Sequence, residues 1–450
     1  MSFLSEVQLG NEFGPFAAFQ AALGFIPNLL HAQTLLPRIV EAQAKLEFAV
    51  RLQDGAIPRV QKERILLTVA ADRNDTYCVA ADSKVLASLA SEAQVDDLLN
   101  ERHCVDLSAA DLTSLRFCLK LSRATASVSW EDIEALRASG LRDEAIFEAV
   151  AVTALAIYRC TLSAGLGPEP DFELRKVTSG RNDQPSAPAV HGSSVEAHQA
   201  TQRKKGPYLP APYLSPKTFA PFAIVQRSHG FIPNFFRAQT LRPDLLEAVL
   251  EAMERILVPE STLRRVQKEC ILLAVSATNL NSYCVAMHCN LLRGLGMSAE
   301  EGDKIAVDHH ESNLPERDRA LLDFAVKLGT RFSEFSREDI VKLQTFGFSE
   351  EQILESVAVT ALNNFANTLQ MGLGIEPDFA PPPSFEMNLS GPGEALMLGA
   401  GVVPPVNRWQ DADAGLVAAA QSGKLEAFEE LVRRHTRLIY RSLIAILGNP

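Results

Sequence analysis

A thiol, an imidazole and a carboxylate fall near one another in a short part of this chain. Cys284 and His288 lie four residues apart within Asn281-Ser-Tyr-Cys-Val-Ala-Met-His-Cys289, and Glu269 precedes the thiol by one helix. Asn281 and Ser282 are N-cap residue types ahead of an apolar-patterned segment, which puts Cys284 in a first helical turn. Unpaired N–H groups and the helix dipole favour a thiolate there. His288 shares the helix face of Cys284. Val266, Glu269, Leu273 and Ala277 follow helical spacing, so the Glu269 carboxylate lies on or beside an apolar stripe. A carboxylate held against apolar neighbours tends toward a raised pKa and can take up and return a proton. These are the parts of an activated-thiol site. The plain alternative is packing, because most free cysteines are buried and inert.

Helices must position these groups, and the sequence supplies them twice. Phe13-x-Pro-Phe-Ala-x-x-Gln20 recurs as Phe219-x-Pro-Phe-Ala-x-x-Gln226, and Gly24-Phe-Ile-Pro-Asn28 as Gly230-Phe-Ile-Pro-Asn234. Val60-Gln-Lys-Glu63 returns at Val266–Glu269 and Tyr77-Cys-Val-Ala80 at Tyr283–Ala286, always 206 residues on. Beyond the cysteine the offset is 207, as in Val150–Leu155 against Val357–Leu362 and Glu169–Phe172 against Glu376–Phe379. The pattern predicts tandem duplication of one module of about 160 residues, a common domain size. Long segments, Leu29–Leu52 and Phe235–Leu257, carry apolar residues at three- and four-residue spacing, and strand-type alternation is absent. Ser336-Arg-Glu-Asp339 predicts a capped helix start, and Gly347-Phe-Ser-Glu-Glu-Gln352 a turn and cap before a helix over Ile353–Leu369. The expected fold is all-α, with modules at 11–172 and 215–380. Residues 173–214, polar and including Arg203-Lys-Lys205, predict a flexible linker. A second linker is expected over 381–410, containing an apolar run at 395–403, with two amphipathic helices over 411–450.

Bulk properties narrow the function. A net charge of −12 argues against a general nucleic-acid-binding surface. Seven scattered cysteines, at 78, 104, 118, 160, 270, 284 and 289, fit free thiols in a reducing compartment. The opening Met-Ser-Phe-Leu-Ser-Glu-Val lacks a signal-peptide pattern, and no stretch approaches the ~20 apolar residues of a membrane span. A cytoplasmic protein without membrane contact, cofactor or metal is expected.

The Gly-Phe-Ile-Pro-Asn motif, Glu269, Tyr283-Cys-Val-Ala-Met-His288 and Asn364-Phe-Ala-Asn367 before Gly372-Leu-Gly374 together resemble the peroxidase-related branch of the AhpD / carboxymuconolactone decarboxylase superfamily. The resemblance covers most of 13–172 and 219–379. It implies an all-α fold that assembles into oligomers, with the two modules pairing here, and a cysteine that reduces hydroperoxides with Glu and His as proton relay. By position Cys284 is the reactive cysteine, His288 the relay histidine and Glu269 the relay carboxylate. Cys78 and Glu63 stand at the same places in the first module, where Asp82 replaces the histidine. Asn281 and Asp75 replace the resolving cysteine of a Cys-x-x-Cys pair, so an external thiol reductant is implied. Ile157 and Cys160 are the counterparts of Asn364 and Asn367. Two carboxylates near Cys78 would oppose a thiolate. The set Cys78, Glu63 and Asp82 therefore reads as a degenerate second site.

The tail from Asp411 through Arg433-Arg-His435 and on to Gly448-Asn-Pro450 resembles the opening of region 2 of extracytoplasmic-function RNA polymerase sigma factors, which implies a contact with RNA polymerase. Three readings follow: a thiol-dependent peroxidase with a hydroperoxide substrate, a redox or ligand sensor acting through the tail in transcription regulation, or an inactive scaffold. The decarboxylase side of the superfamily adds an acid–base enzyme using Glu269 and His288 on a lactone acid.

Overall fold

The computed structural model describes residues 2–100, 107–175 and 206–385. Cys104, the basic triplet 203–205, the apolar run 395–403 and the sigma-like tail lie outside the described residues. Two series of helices follow one another in the same order. The first holds α1 (Gly14–Leu23), α2 (Asn28–His31), α3 (Pro37–Glu47), α4 (Arg59–Asp72), α5 (Thr76–Leu89), α6 (Glu92–Leu99), α7 (Ala109–Arg123), α8 (Trp130–Ala138) and α9 (Asp143–Leu166). The second holds α10 (Ala220–His229), α11 (Asn234–Arg237), α12 (Pro243–Leu257), α13 (Arg265–Thr278), α14 (Ser282–Gly294), α15 (Ala299–Asp308), α16 (Glu316–Thr330), α17 (Arg337–Thr345) and α18 (Glu350–Gly372). No strand occurs among the described residues, so the fold is all-α.

Local chemistry sets the helix limits. Ser336 with Asp339, and Ser349 with Gln352, form capping boxes at the starts of α17 and α18, and Gly347 turns the chain between them at φ 78°. The long segments expected over Leu29–Leu52 and Phe235–Leu257 are instead broken, because Pro37 and Pro243 open new helices at N1. A π-helical turn, Phe48–Leu52, extends α3 and carries Arg51 inward. In the second series α12 runs on to Leu257.

The repeated motifs do a definable job. Tyr77 donates to Asp171 (2.6 Å), whose other oxygen accepts from the backbone N–H of Asn28 (2.9 Å). Tyr283 donates likewise to Asp378 (2.7 Å), which accepts from Asn234 N–H (3.0 Å). Each Gly-Phe-Ile-Pro-Asn loop is thus pinned to the helix that carries the cysteine.

The two long helices, α9 and α18, pack on each other at the centre, and α3 packs on α12. Gly165 is pressed against Val357, and Gly372 against Val150; a Cβ on either glycine would lie 2.6 or 2.7 Å from a valine methyl. Tyr158 meets Phe365 edge-on, with centroids 6.4 Å apart. Positions offset by 207 therefore make the same contact in both directions, Gly165 on Val357 and Gly372 on Val150, while the equivalent Tyr158 and Phe365 meet each other, as across a twofold interface. Buried Glu148 pairs with Arg242, and buried Glu355 with Arg38 at 2.6 Å, so each half sends an arginine into the other. α9 does have the length and apolarity of a membrane span, contrary to the expectation that no stretch does, and packing buries it completely. Part of the region expected as a flexible linker is docked: Tyr208 N–H donates to Leu373 O (2.8 Å), and Leu209 is buried.

Candidate active site

In the second half, α13 and α14 are joined by a sharp turn in which Leu280 takes φ 59°, a left-handed conformation disfavoured for a side chain of that size. The turn delivers Asn281 as N-cap of α14, its Oδ1 accepting from Cys284 N–H at 2.9 Å. Glu269 projects from α13 and is fully buried. His288 Nδ1 lies 2.7 Å from Glu269 Oε2, and Arg265, one turn back on α13, sits 2.5 Å from Oε1. The imidazole keeps 12% of its surface in solvent. With Nδ1 engaged by the carboxylate, Nε2 is the nitrogen left for a proton arriving from outside the pair.

Cys284 is placed differently from its two expected partners. It is buried, and its neighbour is Ser276 of α13; no hydrogen bond joins its sulfur to His288. Ser276 Oγ in turn lies 3.1 Å from Asn363 Oδ1 and 3.2 Å from Asn367 Oδ1 on α18, and the buried Nδ2 of Asn367 has no partner. So the structure joins Glu269 to His288 directly and puts Cys284 one turn away, facing a polar cluster of serine and asparagine.

The electrostatics depart from the sequence expectation in two respects. Burial pushes the Cys284 thiol up to about 12, and the Ser276 hydrogen bond only partly offsets this. The first-turn N–H expected to favour a thiolate is already taken by Asn281. Glu269 was expected to have a raised pKa. Burial does push it up, but the hydrogen bond and charge of His288, with Arg265, outweigh burial and hold it below the ordinary carboxylate range. Arg265 and Ser276 are the residues the sequence reading missed; Arg265 stands four residues before Glu269, an i,i+4 pairing readable in advance.

The first half holds a different arrangement at the same places. Cys78 follows Asp75, which caps α5 by accepting from Cys78 N–H at 2.7 Å. Glu63 and Asp82 are fully buried but not as bare carboxylates. Arg51 grips Glu63 with two bonds of 2.8 Å and reaches Asp82 and Glu47 at 3.2 Å. Arg159 binds Asp82 at 2.8 Å and Glu47 at 3.1 Å, and Arg59 lies 2.5 Å from Glu63. Three arginines thus balance three carboxylates. The expected opposition of Glu63 and Asp82 to a Cys78 thiolate is answered by Arg51 and Arg159, whose second-half counterparts are Leu257 and Ala366. Cys78 has a neighbour of its own kind: its sulfur, that of Cys160 on α9 and an Asp75 carboxylate oxygen lie within 4.8 Å of one another.

Cys270 and Cys289 are both buried and their thiols are pushed up to about 12, chiefly by burial. Neither is joined to Cys284 by a disulfide.

With this geometry in hand, residues 243–309, which include Glu269, Cys284 and His288, match the Carboxymuconolactone decarboxylase family. No curated protein matches the chain. Among solved structures the chain is similar to an uncharacterized peroxidase-related protein from Silicibacter sp. TM1040, at 26% identity over 40% of this chain and 96% of that one, with a TM-score of 0.37. It is also similar to an alkylhydroperoxidase AhpD core, an uncharacterized peroxidase-related protein from Ralstonia eutropha JMP134, at 28% identity over 40% and 95%, with a TM-score of 0.36. The family match thus spans the helices α12 to α15, and the described residues around it are helical throughout, without strands.

Proposed function

We propose that the chain is a duplicated AhpD-like protein whose second half reduces hydroperoxides through the single cysteine Cys284. The observation that carries this reading is the buried Glu269–His288 bond of 2.7 Å, one helical turn from the thiol. A thiol with a pKa near 12 is almost wholly protonated at neutral pH, so attack requires that its proton leave as the peroxide arrives. His288 Nε2 takes that proton, directly or through one water, and Glu269 stabilises the imidazolium formed. The sulfur then attacks the distal peroxide oxygen, the O–O bond breaks, and the proton passes to the departing alkoxide. Cys284 becomes a sulfenic acid and the hydroperoxide an alcohol. Two equivalents of external thiol return the cysteine, with release of water and a disulfide. Asn367 Nδ2, a buried donor without a partner, is positioned in the cluster next to the sulfur for a substrate oxygen.

Duplication is supported by the motifs recurring at a near-constant offset and by the reciprocal Gly165–Val357 and Gly372–Val150 contacts.

The test is peroxide consumption, with a dithiol reductant, by the full chain carrying Cys78→Ser, so that only the second-half thiol is read. Cys284→Ser is expected to abolish it, and His288→Ala to lower kcat/KM by about 10²-fold or more. Turnover that survives Cys284→Ser would remove the thiol mechanism. If the surviving activity were lost in Glu269→Gln, the pair would be working by acid–base chemistry alone.

A further inference from the structure

Cys160 is the least expected residue around the first-half site. In the second half the same place on the long helix is Asn367, whose amide oxygen faces Ser276. In the first half that place holds a second thiol, and it sits against the cysteine that corresponds to Cys284. Both sulfurs are fully buried and uncrosslinked. They lie within 4.8 Å of each other and of an Asp75 oxygen, so a disulfide requires the sulfurs to approach to the S–S bond length of about 2 Å.

From this juxtaposition we infer that Cys78 and Cys160 are a redox-active dithiol, converted by a small hydroperoxide to an intramolecular disulfide and returned by an external dithiol. The second sulfur comes from α9, distant in sequence, and not from the Asp75 position three residues before Cys78.

The surroundings suit each step. Asp75 is the proton acceptor in reach of both thiols; burial raises its carboxyl to about 6, against the hydrogen bonds it accepts from Cys78 N–H and Ser163. Cys78 Sγ attacks the distal oxygen of the peroxide, the O–O bond breaks, and the alkoxide leaves as an alcohol once protonated. Cys160 Sγ then displaces the hydroxyl of the Cys78 sulfenic acid. Its proton leaves with that hydroxyl as water, and the S–S bond forms. Two thiols lose two electrons in total and one peroxide gains them. Tyr77 and Arg159, the chain neighbours of Cys78 and Cys160, line a small cavity together with Glu47, Arg51 and Ala81, although neither sulfur itself lines it.

The hydrogen bond with Cys160, and then burial, hold the Cys78 thiol well above its ordinary range, so Cys78 rests as a thiol. The same three ligand atoms could in principle close on a divalent cation. Two guanidiniums oppose that: Arg159 acts on Cys78, and Arg73 on Cys160 and Asp75. A positive surround favours sulfur anions passing through attack and disfavours a resident metal.

The experiment is thiol counting and non-reducing peptide mapping on the full chain after hydrogen peroxide or diamide, with alkylation under denaturing conditions. The expected result with diamide is a fall from seven free thiols to five, with a Cys78–Cys160 linked peptide and recovery of both thiols with dithiothreitol; hydrogen peroxide gives the same linked peptide and also removes Cys284 as its sulfenic acid. The Cys284→Ser chain should fall from six to four with the same linked peptide, which separates this pair from the proposed second-half site. Recovery of Cys78 and Cys160 as free thiols after excess diamide would overturn the inference. So would a linked peptide that vanishes in Cys284→Ser. Stoichiometric retention of zinc, protecting both thiols from diamide, would make the site a metal site and overturn it as well. Mapping the unsubstituted chain needs no variant to fold, and Cys160→Asn, the second-half residue, serves as the control that cannot form the link.

Discussion

Asp82 and His288 occupy the same place in the two halves, and the exchange of one for the other reorganises everything around it. An imidazole can share a proton with Glu269, so the second-half pair needs only Arg265 beside it. A carboxylate at that place must be neutralised, and Arg51 and Arg159 enter to do so. Removing one arginine would leave buried carboxylates unpaired, which typically costs about 3–5 kcal/mol. Arg159→Leu is accordingly expected to lower the unfolding free energy by that order in denaturant titration, whereas the exposed pair Lys304–Glu300 should be nearly silent when either partner is replaced. For Cys284, iodoacetamide alkylation is expected to be slow at neutral pH and to rise about tenfold per pH unit toward 12. A rate already on its plateau at pH 8 would contradict the burial described for that thiol. The identities of Cys284, His288 and Glu269 were legible from their spacing. Their electrostatics were not, because the direction of each shift depends on partners such as Ser276 and Arg265 and on depth of burial. Cys160 showed in sequence only as a missing asparagine; its approach to Cys78 needed the helix pairing.

The cysteine-bearing helices are aimed by their preceding turns. Asn74 and Leu280, equivalent positions, both take the left-handed conformation just before the capping residues Asp75 and Asn281. Asparagine tolerates that region and leucine does not, so Leu280→Asn is expected to raise stability by up to about 1 kcal/mol in thermal or denaturant unfolding. At the central helix pair, Gly372→Ala would drive a methyl against Val150 and should cost about 1–3 kcal/mol, with much of the loss recovered in the double variant carrying Val150→Ala. The cap signals and helical periodicity made α17 and α18 readable in advance. The breaks at Pro37 and Pro243 were obscured because the apolar pattern runs through them, and the π turn at Phe48–Leu52 leaves no sequence mark beyond an arginine on an otherwise apolar face.

At the scale of the whole molecule the halves are bound by charge as well as by packing. Buried Glu355 gathers Lys268 at 2.6 Å, Leu263 N–H at 2.8 Å and Ser261 from its own half, and Arg38 from the other. Burial raises its carboxyl, but these partners overcome that and hold it at about 2, against an ordinary value of 4.5. A depressed carboxylate contributes stability that is complete above the unfolded value and is lost as pH falls toward the folded one. The described region is therefore expected to lose stability between pH 4.5 and 2 with a slope that Glu355→Gln reduces, measured by denaturant midpoint at each pH. The repeat made the pairing of halves foreseeable; that Arg38 and Arg242 hold it, from places two residues out of correspondence, was visible only in three dimensions.

One bond across the central helices has a consequence for how such a chain can change. Asn364 Nδ2 donates to Thr161 Oγ1 at 3.2 Å, while the mirrored positions, Ile157 and Thr368, have no amide to offer. In an assembly of identical subunits every substitution near the axis is made twice and must be tolerated twice. Here each side of the seam is written by its own codons, so one flank can acquire a polar clasp while the other keeps a greasy contact. Such one-sidedness gives the two cysteine-bearing halves freedom to specialise without either having to remain a faithful copy.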